Sequence, residues 1–180
     1  DYDTFGNDTI GIFKKNEKYG YYNTKKKSIV IPAKYENAWR FSDGIAGVIK
    51  DGKLGFINIK DETVIGFNYG YHESHLYEFV FRWGHCAVPN EKGLCGIIDK
   101  NGKWVIKPIY ELANVASPNY AIVNVKNGFK IQIDYNGNIL NPHVIDEVER
   151  LTYTKNIKDV SNEEYIEYPT SYYKYKVNYN

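Results

Sequence analysis

The stretch GIAGVIKDGKLGFINIKDETVIGFNY, from Gly44 to Tyr69, contains every part of a three-stranded β unit. A short apolar run leads into Asp51-Gly52, a second run carries Leu54-Gly55-Phe56, and a third begins at Val64-Ile65 and ends at Tyr69. Asp-Gly between two apolar runs is typical of a two-residue hairpin, because both turn residues must adopt positive φ. The stretch therefore predicts three antiparallel strands.

The same unit recurs along the chain with a nearly constant period. Its central-strand glycine is found at Gly20, Gly55 and Gly96, with Ile131 in the degenerate fourth copy, at spacings of 35, 41 and 35 residues. An apolar pair near the end of each unit recurs at spacings of 34, 41 and 34 residues. Two markers that keep one period indicate stacked supersecondary units. The pairs are Val30-Ile31, Val64-Ile65, Val105-Ile106 and Ile139-Leu140.

These markers predict an all-β fold, a tandem array of about four three-stranded antiparallel units. The repeats fill residues 1–145, with units at about 9–43, 44–83, 84–118 and 119–145. Four unequal copies with ragged ends favour an open, solenoid-like array over a closed propeller. Residues 146–180 are predicted to form an atypical C-terminal cap whose last residues resemble the start of a further repeat. The first residue is not Met, so we expect that the chain was trimmed from a longer one.

Two features predict how each unit bends and how it meets its neighbour. Pro32, Pro108 and Pro142 follow the apolar pairs, and proline is tolerated only at the end, edge or bulge of a strand. The third strand of a unit should therefore bend or lie at an edge. Trp39 and Phe41 are two apart in the linker after Tyr35, so we expect them to project to one side and to seal one unit to the next.

Composition excludes several classes of function. Lys plus Arg is 23 and Asp plus Glu is 22, so no net field attracts nucleic acid or an anionic membrane, and we expect no nucleic-acid partner. No apolar run approaches the roughly 20 residues that cross a bilayer, so we expect no membrane span. The chain carries 18 Tyr, 8 Phe and 3 Trp, residues that favour strands and rigid contact surfaces.

The two cysteines are predicted to be buried free thiols. If Gly93 ends its turn as Gly52 does, Val88 lies opposite Gly96 and Cys86 lies opposite Ile98. Cys95 then lies three positions along on the other face of the sheet, beyond the ~5.5 Å Cα separation of a disulfide.

The repeat resembles the bacterial WG-repeat (KWG) family. The similarity is densest in VIPAKYENAWRFSDG, residues 30–44, and in GIIDKNGKWVI, residues 96–106, and it covers about residues 2–144. The defining Trp-Gly pair is Tyr-Gly, Leu-Gly, Cys-Gly and Lys-Ile here. The resemblance implies β-rich tandem repeats of bacterial proteins, exported or at the cell surface more often than cytoplasmic, and it supplies no catalytic residues.

The 41-residue spacing locates an insertion of about six residues at 70–75, and insertions in repeat proteins often carry the binding site. Two of its histidines, with the nearby His85-Cys86, have donor types that suit zinc. We expect no metal and no cofactor, because the spacing is not a zinc-finger pattern and loop histidines usually face water. The residues predicted to form an exposed binding surface are Tyr71, His72, His75, Tyr77, Phe81 and Trp83.

No catalytic motif stands out in the sequence, so the chain is predicted not to be an enzyme. The leading hypothesis is a non-catalytic repeat domain that binds a protein or peptide partner, including a component of the cell surface or cell wall. The alternative hypothesis is binding of a glycan or cell-wall polymer through exposed Tyr and Trp.

Overall fold

The structure is a computed structural model that describes residues 9–71, 78–125 and 130–140. These residues form thirteen strands in four antiparallel sheets and contain no helix. Within each sheet the strands are neighbours in chain order, and no sheet closes into a barrel. The predicted all-β, open array is thereby confirmed.

The first sheet contains β1 (Ile10–Lys15), β2 (Lys18–Asn23) and β3 (Ser28–Tyr35). The second contains β4 (Asn37–Ala38), β5 (Ile45–Lys50), β6 (Lys53–Asn58) and β7 (Thr63–Tyr69). The third contains β8 (His85–Pro89), β9 (Cys95–Asp99) and β10 (Trp104–Tyr110), and the fourth contains β11 (Leu112–Val115), β12 (Tyr120–Asn124) and β13 (Lys130–Asp134).

The sheets are stacked through three hydrophobic cores, one between each pair of successive sheets. Alternation along a strand divides its side chains between two cores. In β5, Ala46 and Val48 enter the first core, whereas Ile45 and Ile49 enter the second. Strands β5, β6 and β9 are therefore buried along nearly their whole length, which explains their continuous apolar sequences.

The last strand of each of the first three sheets carries a bulge at the same place. Tyr21 pairs with Ile31 and Tyr19 pairs with Tyr35, so a two-residue step on β2 faces a four-residue step on β3. The same irregularity recurs between β6 and β7 and between β9 and β10. Pro32 and Pro108 lie inside these bulges, which confirms the predicted bend. Pro142 and the predicted cap at 146–180 lie outside the described residues.

The recurring glycine lets the bulge approach the central strand. A Cβ added at Gly20 would lie 2.5 Å from the carbonyl oxygen of Ile31, and one at Gly96 would lie 2.5 Å from that of Ile106. At Gly55 the ring of Phe67 fills the same space, at 2.7 Å. Real Cβ atoms do not approach backbone so closely, so the period seen in the sequence reflects a steric requirement.

Two-residue hairpins join the first two strands of the first and second units. Asp51 and Gly52 have φ of 53° and 70°, as predicted. Asn16 and Glu17 have φ of 51° and 59° although neither is glycine, so this turn lacks the Asp-Gly or Asn-Gly pair that marks a hairpin in a sequence.

The linker aromatics seal successive units, as predicted, but they do not project to one side. Phe41 enters the first core with its ring centroid 4.7 Å from that of Tyr21. Trp39 packs against the second core, 4.7 Å from the ring centroid of Phe79. The expectation of a shared side was wrong because the chain leaves the strand conformation after Ala38, so the two-residue alternation does not hold there.

Both cysteines are free and buried, which confirms the prediction. Cys86 pairs with Ile98 and Val88 pairs with Gly96, the register expected from the sequence. Cys86 belongs to the second core and Cys95 to the third. Burial raises the pKa of the Cys86 thiol far above its ordinary value, so this thiol is protonated at neutral pH.

The steric role of the repeat glycine predicts a large cost for one added methyl group. We expect Gly96→Ala to lower the free energy of unfolding by about 1–3 kcal/mol, because the bulge of β10 must move away. The measurement is urea unfolding followed by circular dichroism.

Gly11→Ala is the matched control, since a Cβ there meets its nearest atom at an ordinary 3.5 Å. It should be neutral or slightly stabilising. Equal stability of the two variants would contradict the steric explanation.

Candidate functional site

The predicted exposed surface falls partly within the described residues. His72, His75 and Tyr77 lie outside them, so their part in a site stays a prediction. Tyr71 is half-buried, and its hydroxyl accepts a hydrogen bond of 3.0 Å from Nδ2 of Asn37. Its ring makes edge contacts with Trp39 and Phe79, at centroid distances of 6.1 and 6.5 Å. Tyr71 is thereby held against the second core.

Phe81 does not lie on an exposed aromatic surface, which corrects the expectation from the sequence. It is 1% exposed and packs edge-on against Phe56 in the second core, at a centroid distance of 5.0 Å. The bridge between Arg82 and His85 repeats the one between Ser42 and Ile45, so Phe81 occupies the position of Phe41. Aligning the linkers on the strand that follows would have revealed this equivalence.

Trp83 packs against the third core and is partly buried. Its φ of 50° and that of Gly84, 78°, form the tight turn that enters β8. Asp43 and Gly44 have φ of 51° and 85° in the equivalent turn before β5. Trp83 thus occupies the same turn position, with the same positive φ, as Asp43 in the preceding unit.

A groove of about 490 Å³ runs beside this region and is called here the strand-edge groove. One side is formed by the segment 78–82, and the other by β11, which is an edge strand among the described residues of the fourth sheet. Buried Val80 and Val115 supply apolar surface, and Leu112 is 41% exposed. Ile122, Asn124 and Lys130 complete the lining on the side of the fourth sheet.

Charged side chains border the strand-edge groove. The carboxylate of Glu78 pairs with the guanidinium groups of Arg40, at 3.2 Å, and of Arg82, at 3.4 Å. All three side chains are well exposed, so the pairs contribute little to stability. Their effect is to hold charge at fixed positions beside an apolar surface.

A second groove, of about 680 Å³, lies where the second and third units meet and is called here the junction groove. Tyr69, Leu94, Trp104 and Pro108 line it with apolar surface. Polar side chains of β7 and of the loop after β8 also line it, namely Asn68, Asn90, Glu91 and Lys92.

Polar contacts bridge the corresponding junction of the first and second units. There the last tyrosine of β3, Tyr35, donates a 2.6 Å hydrogen bond to the Asp61 carboxylate, and Lys34 forms an ion pair with the same group. At the second junction Tyr69 instead donates a 2.6 Å bond to the carbonyl oxygen of Gly102. Gly102 is equivalent to Asp61, because each donates its N–H at 3.0 Å to the carbonyl three residues earlier.

The second junction has Gly102 at the position of Asp61, so it lacks the carboxylate that bridges the first junction. In the same alignment of the repeats, Asn68 is equivalent to Lys34 and Trp104 is equivalent to Thr63. Burial raises the pKa of Tyr35 and of Tyr69, so both hydroxyls stay protonated and can donate at neutral pH. The junction groove thus differs from the first junction at three of its lining positions, Asn68, Gly102 and Trp104.

The turns between second and third strands share an Asx design that fixes the groove walls. Oδ1 of Asn58 accepts the N–H groups of Lys60 and Glu62, and Oδ1 of Asp99 and of Asp134 each accept two N–H groups in the same pattern. Desolvation raises the pKa of both aspartates, but these hydrogen bonds outweigh it and both pKa values lie below the ordinary one.

The lowered pKa values predict part of the response to acid. Ionised Asp99 and Asp134 stabilise the fold above the unfolded pKa of about 3.9, and this contribution is lost as the pH falls through the lower folded values. The Asn58 turn shows that an amide can replace the carboxylate. We expect Asp99→Asn with Asp134→Asn to lose less stability between neutral pH and about pH 3 than the natural chain does, by less than about 1 kcal/mol because both groups are exposed.

Urea midpoints at the two pH values provide the measurement, with unfolding at neutral pH as the control for an intact fold. An acid response as steep as that of the natural chain would contradict the role assigned to these carboxylates.

The described residues hold no group of three or more His, Cys, Asp or Glu side chains placed to bind a metal. His72 and His75 lie outside them, and the protonated, buried thiol of Cys86 is a poor ligand. Nor does any helix within the described ranges have the length and apolar character needed to cross a membrane.

Trp104 is the groove residue that sequence reasoning missed. It is 37% exposed at a position where the preceding unit has Thr63. A large aromatic residue that departs from the repeat was the available signal, whereas the predicted binding residues lie in and after the insertion.

Comparison with known proteins identifies the same repeated units. A family model described as WG containing repeat matches residues 19–53 and 96–128. Each match runs from the central strand of one sheet, across the linker, to the hairpin region of the next sheet. No curated protein matches the sequence.

Among solved structures, the crystal structure of the computationally designed Ika8 protein is similar in part. Its TM-score is 0.46 at 12% sequence identity, and the match covers 74% of this chain and 46% of that one. This chain therefore spans less than half the length of the designed protein.

The family match rests on the strands, the central glycine and the linker that build the repeated contact described above. The two matched regions support a WG-repeat family for this chain.

Proposed function

We propose that this repeat domain is a non-catalytic binding module and that the strand-edge groove receives a protein or peptide partner. The observation that carries the proposal is a groove with apolar and charged lining that runs along the edge strand β11. Its volume of about 490 Å³ lies within the range of ligand sites, roughly 300–1,000 Å³. Its other side, the segment 78–82, belongs to the region expected from the sequence to bind.

An extended peptide is the partner that suits this geometry. A peptide can add to the edge of a sheet through main-chain hydrogen bonds, while its alternate side chains enter pockets of the groove. Val80, Val115 and Leu112 provide apolar contacts for such side chains. Arg82, Glu78 and Lys130 provide charges of both signs that would fix the direction and register of the peptide.

The arrangement of polar groups supports binding without chemistry. The carboxylate of Glu78 is exposed and is shared between two arginines. A general acid or base is usually buried or placed beside like charges. Glu78 is therefore suited to contact a partner.

The experiment is a selection of random linear peptides displayed on phage against the immobilised domain. Affinities of enriched peptides are then measured for the natural chain and for Leu112→Arg, which fills the groove with a long charged side chain at an exposed site. We expect Leu112→Arg to weaken binding by tenfold or more. The matched control is Ile29→Arg, which makes the same change at a residue of the first sheet that is 61% exposed.

The control should bind as the natural chain does. The proposal is overturned if no peptide is enriched, or if enriched peptides bind the Leu112→Arg variant with undiminished affinity.

A further inference from the structure

The junction groove contains an aromatic side chain that the repeat does not require. Thr63 occupies the position of Trp104 in the second unit, and that unit forms its third strand with the same bulge. Packing of the third unit therefore does not depend on an indole here. The ring is 37% exposed and lines a groove of about 680 Å³.

The indole is held in a fixed orientation. Tyr69 meets it edge to face, with ring centroids 5.5 Å apart and an interplanar angle of 83°. Tyr69 is itself fixed by its 2.6 Å hydrogen bond to the carbonyl oxygen of Gly102. A Cβ at Gly102 would lie 2.9 Å from that hydroxyl, so a larger residue there would require the hydroxyl to shift. A platform ordered in this way costs little entropy when a ligand binds.

The polar lining is mixed and nearly neutral. Asn68 offers an amide, with donors and an acceptor, at the end of β7. Glu91 carries a negative charge and forms a 3.1 Å ion pair with Lys53, and Lys92 carries a positive charge beside it. Asn90 uses Oδ1 for the N–H groups of Lys92 and Leu94, which fixes the loop that presents these side chains.

We infer that the junction groove is a binding site for a neutral carbohydrate, with a sugar ring seated on Trp104. The face of an indole is electron-rich and attracts the weakly positive C–H groups on one side of a sugar ring. Sugar hydroxyls both donate and accept hydrogen bonds. They can therefore pair with Asn68, Glu91 and Lys92, whose side chains together include donors and acceptors. The opposite charges of Glu91 and Lys92 give no preference for an ionic ligand.

This site is separate from the strand-edge groove, so it does not depend on the peptide proposal. The two grooves have no lining residue in common. A carbohydrate site would also account for the residues Asn68, Gly102 and Trp104 that replace Lys34, Asp61 and Thr63 of the first junction. A peptide bound at Trp104 is the competing occupant, and the experiment distinguishes the two.

The test titrates the whole chain with neutral cello-, malto-, xylo- and chito-oligosaccharides at up to millimolar concentration. Indole N–H resonances are followed by NMR, with the Trp104 signal assigned from Trp104→Phe. We expect at least one of these oligosaccharides to shift the Trp104 signal selectively. Isothermal titration calorimetry measures the affinity of each variant, because both variants lack the Trp104 signal. We expect Trp104→Thr, which installs the residue of the second unit, to weaken that binding by tenfold or more, and Trp104→Phe to weaken it less.

Circular dichroism and the urea midpoint of Trp104→Thr show whether the fold is kept, and Trp104→Phe gives a second reading if it is not. The inference is overturned if no oligosaccharide in the panel shifts the Trp104 signal, or if binding is unchanged in both variants. It is equally overturned if only peptides from the display selection shift that signal.

Discussion

The close approach of the third strand to a central-strand glycine is the constraint on which the rest of this structure depends. The bulge of β3 and that of β10 cover Gly20 and Gly96 at distances that exclude a Cβ. The bulge separates a buried isoleucine from a buried tyrosine by four residues, as in Ile31 and Tyr35. The tyrosine is thereby placed to donate its hydroxyl to a turn of the next unit, so one steric contact inside a unit sets the contact between units.

Stacking through those tyrosines explains how a chain with small sheets builds a core. No sheet of three or four strands encloses a core by itself, and each of the three cores lies between neighbours. The same repetition explains where a site can arise. A contact that recurs in every junction packs the units together. A junction that departs from it, as with Gly102 at the position of Asp61, can instead provide a binding site.

The sequence predicted the repeat, the bend at the prolines, the free thiols and the register of β8 with β9, because each follows from local sterics or from alternation. It did not predict the directions of the linker side chains, because the chain leaves the strand conformation there and Trp39 and Phe41 enter different cores. Phe81 was misplaced because its equivalence to Phe41 depends on bridges across the turn. The grooves were missed because their walls come from residues far apart in the chain, such as Val80 and Leu112 or Tyr69 and Trp104.

Native-state hydrogen exchange of Tyr69→Phe, compared with the natural chain, tests the coupling between units most directly. The variant keeps the ring and removes only the hydroxyl that reaches Gly102. If that bond joins the units, exchange should accelerate both in β7 and in the turn at 99–103, which lies in the next unit. Acceleration confined to β7, or none at either place, would contradict the account.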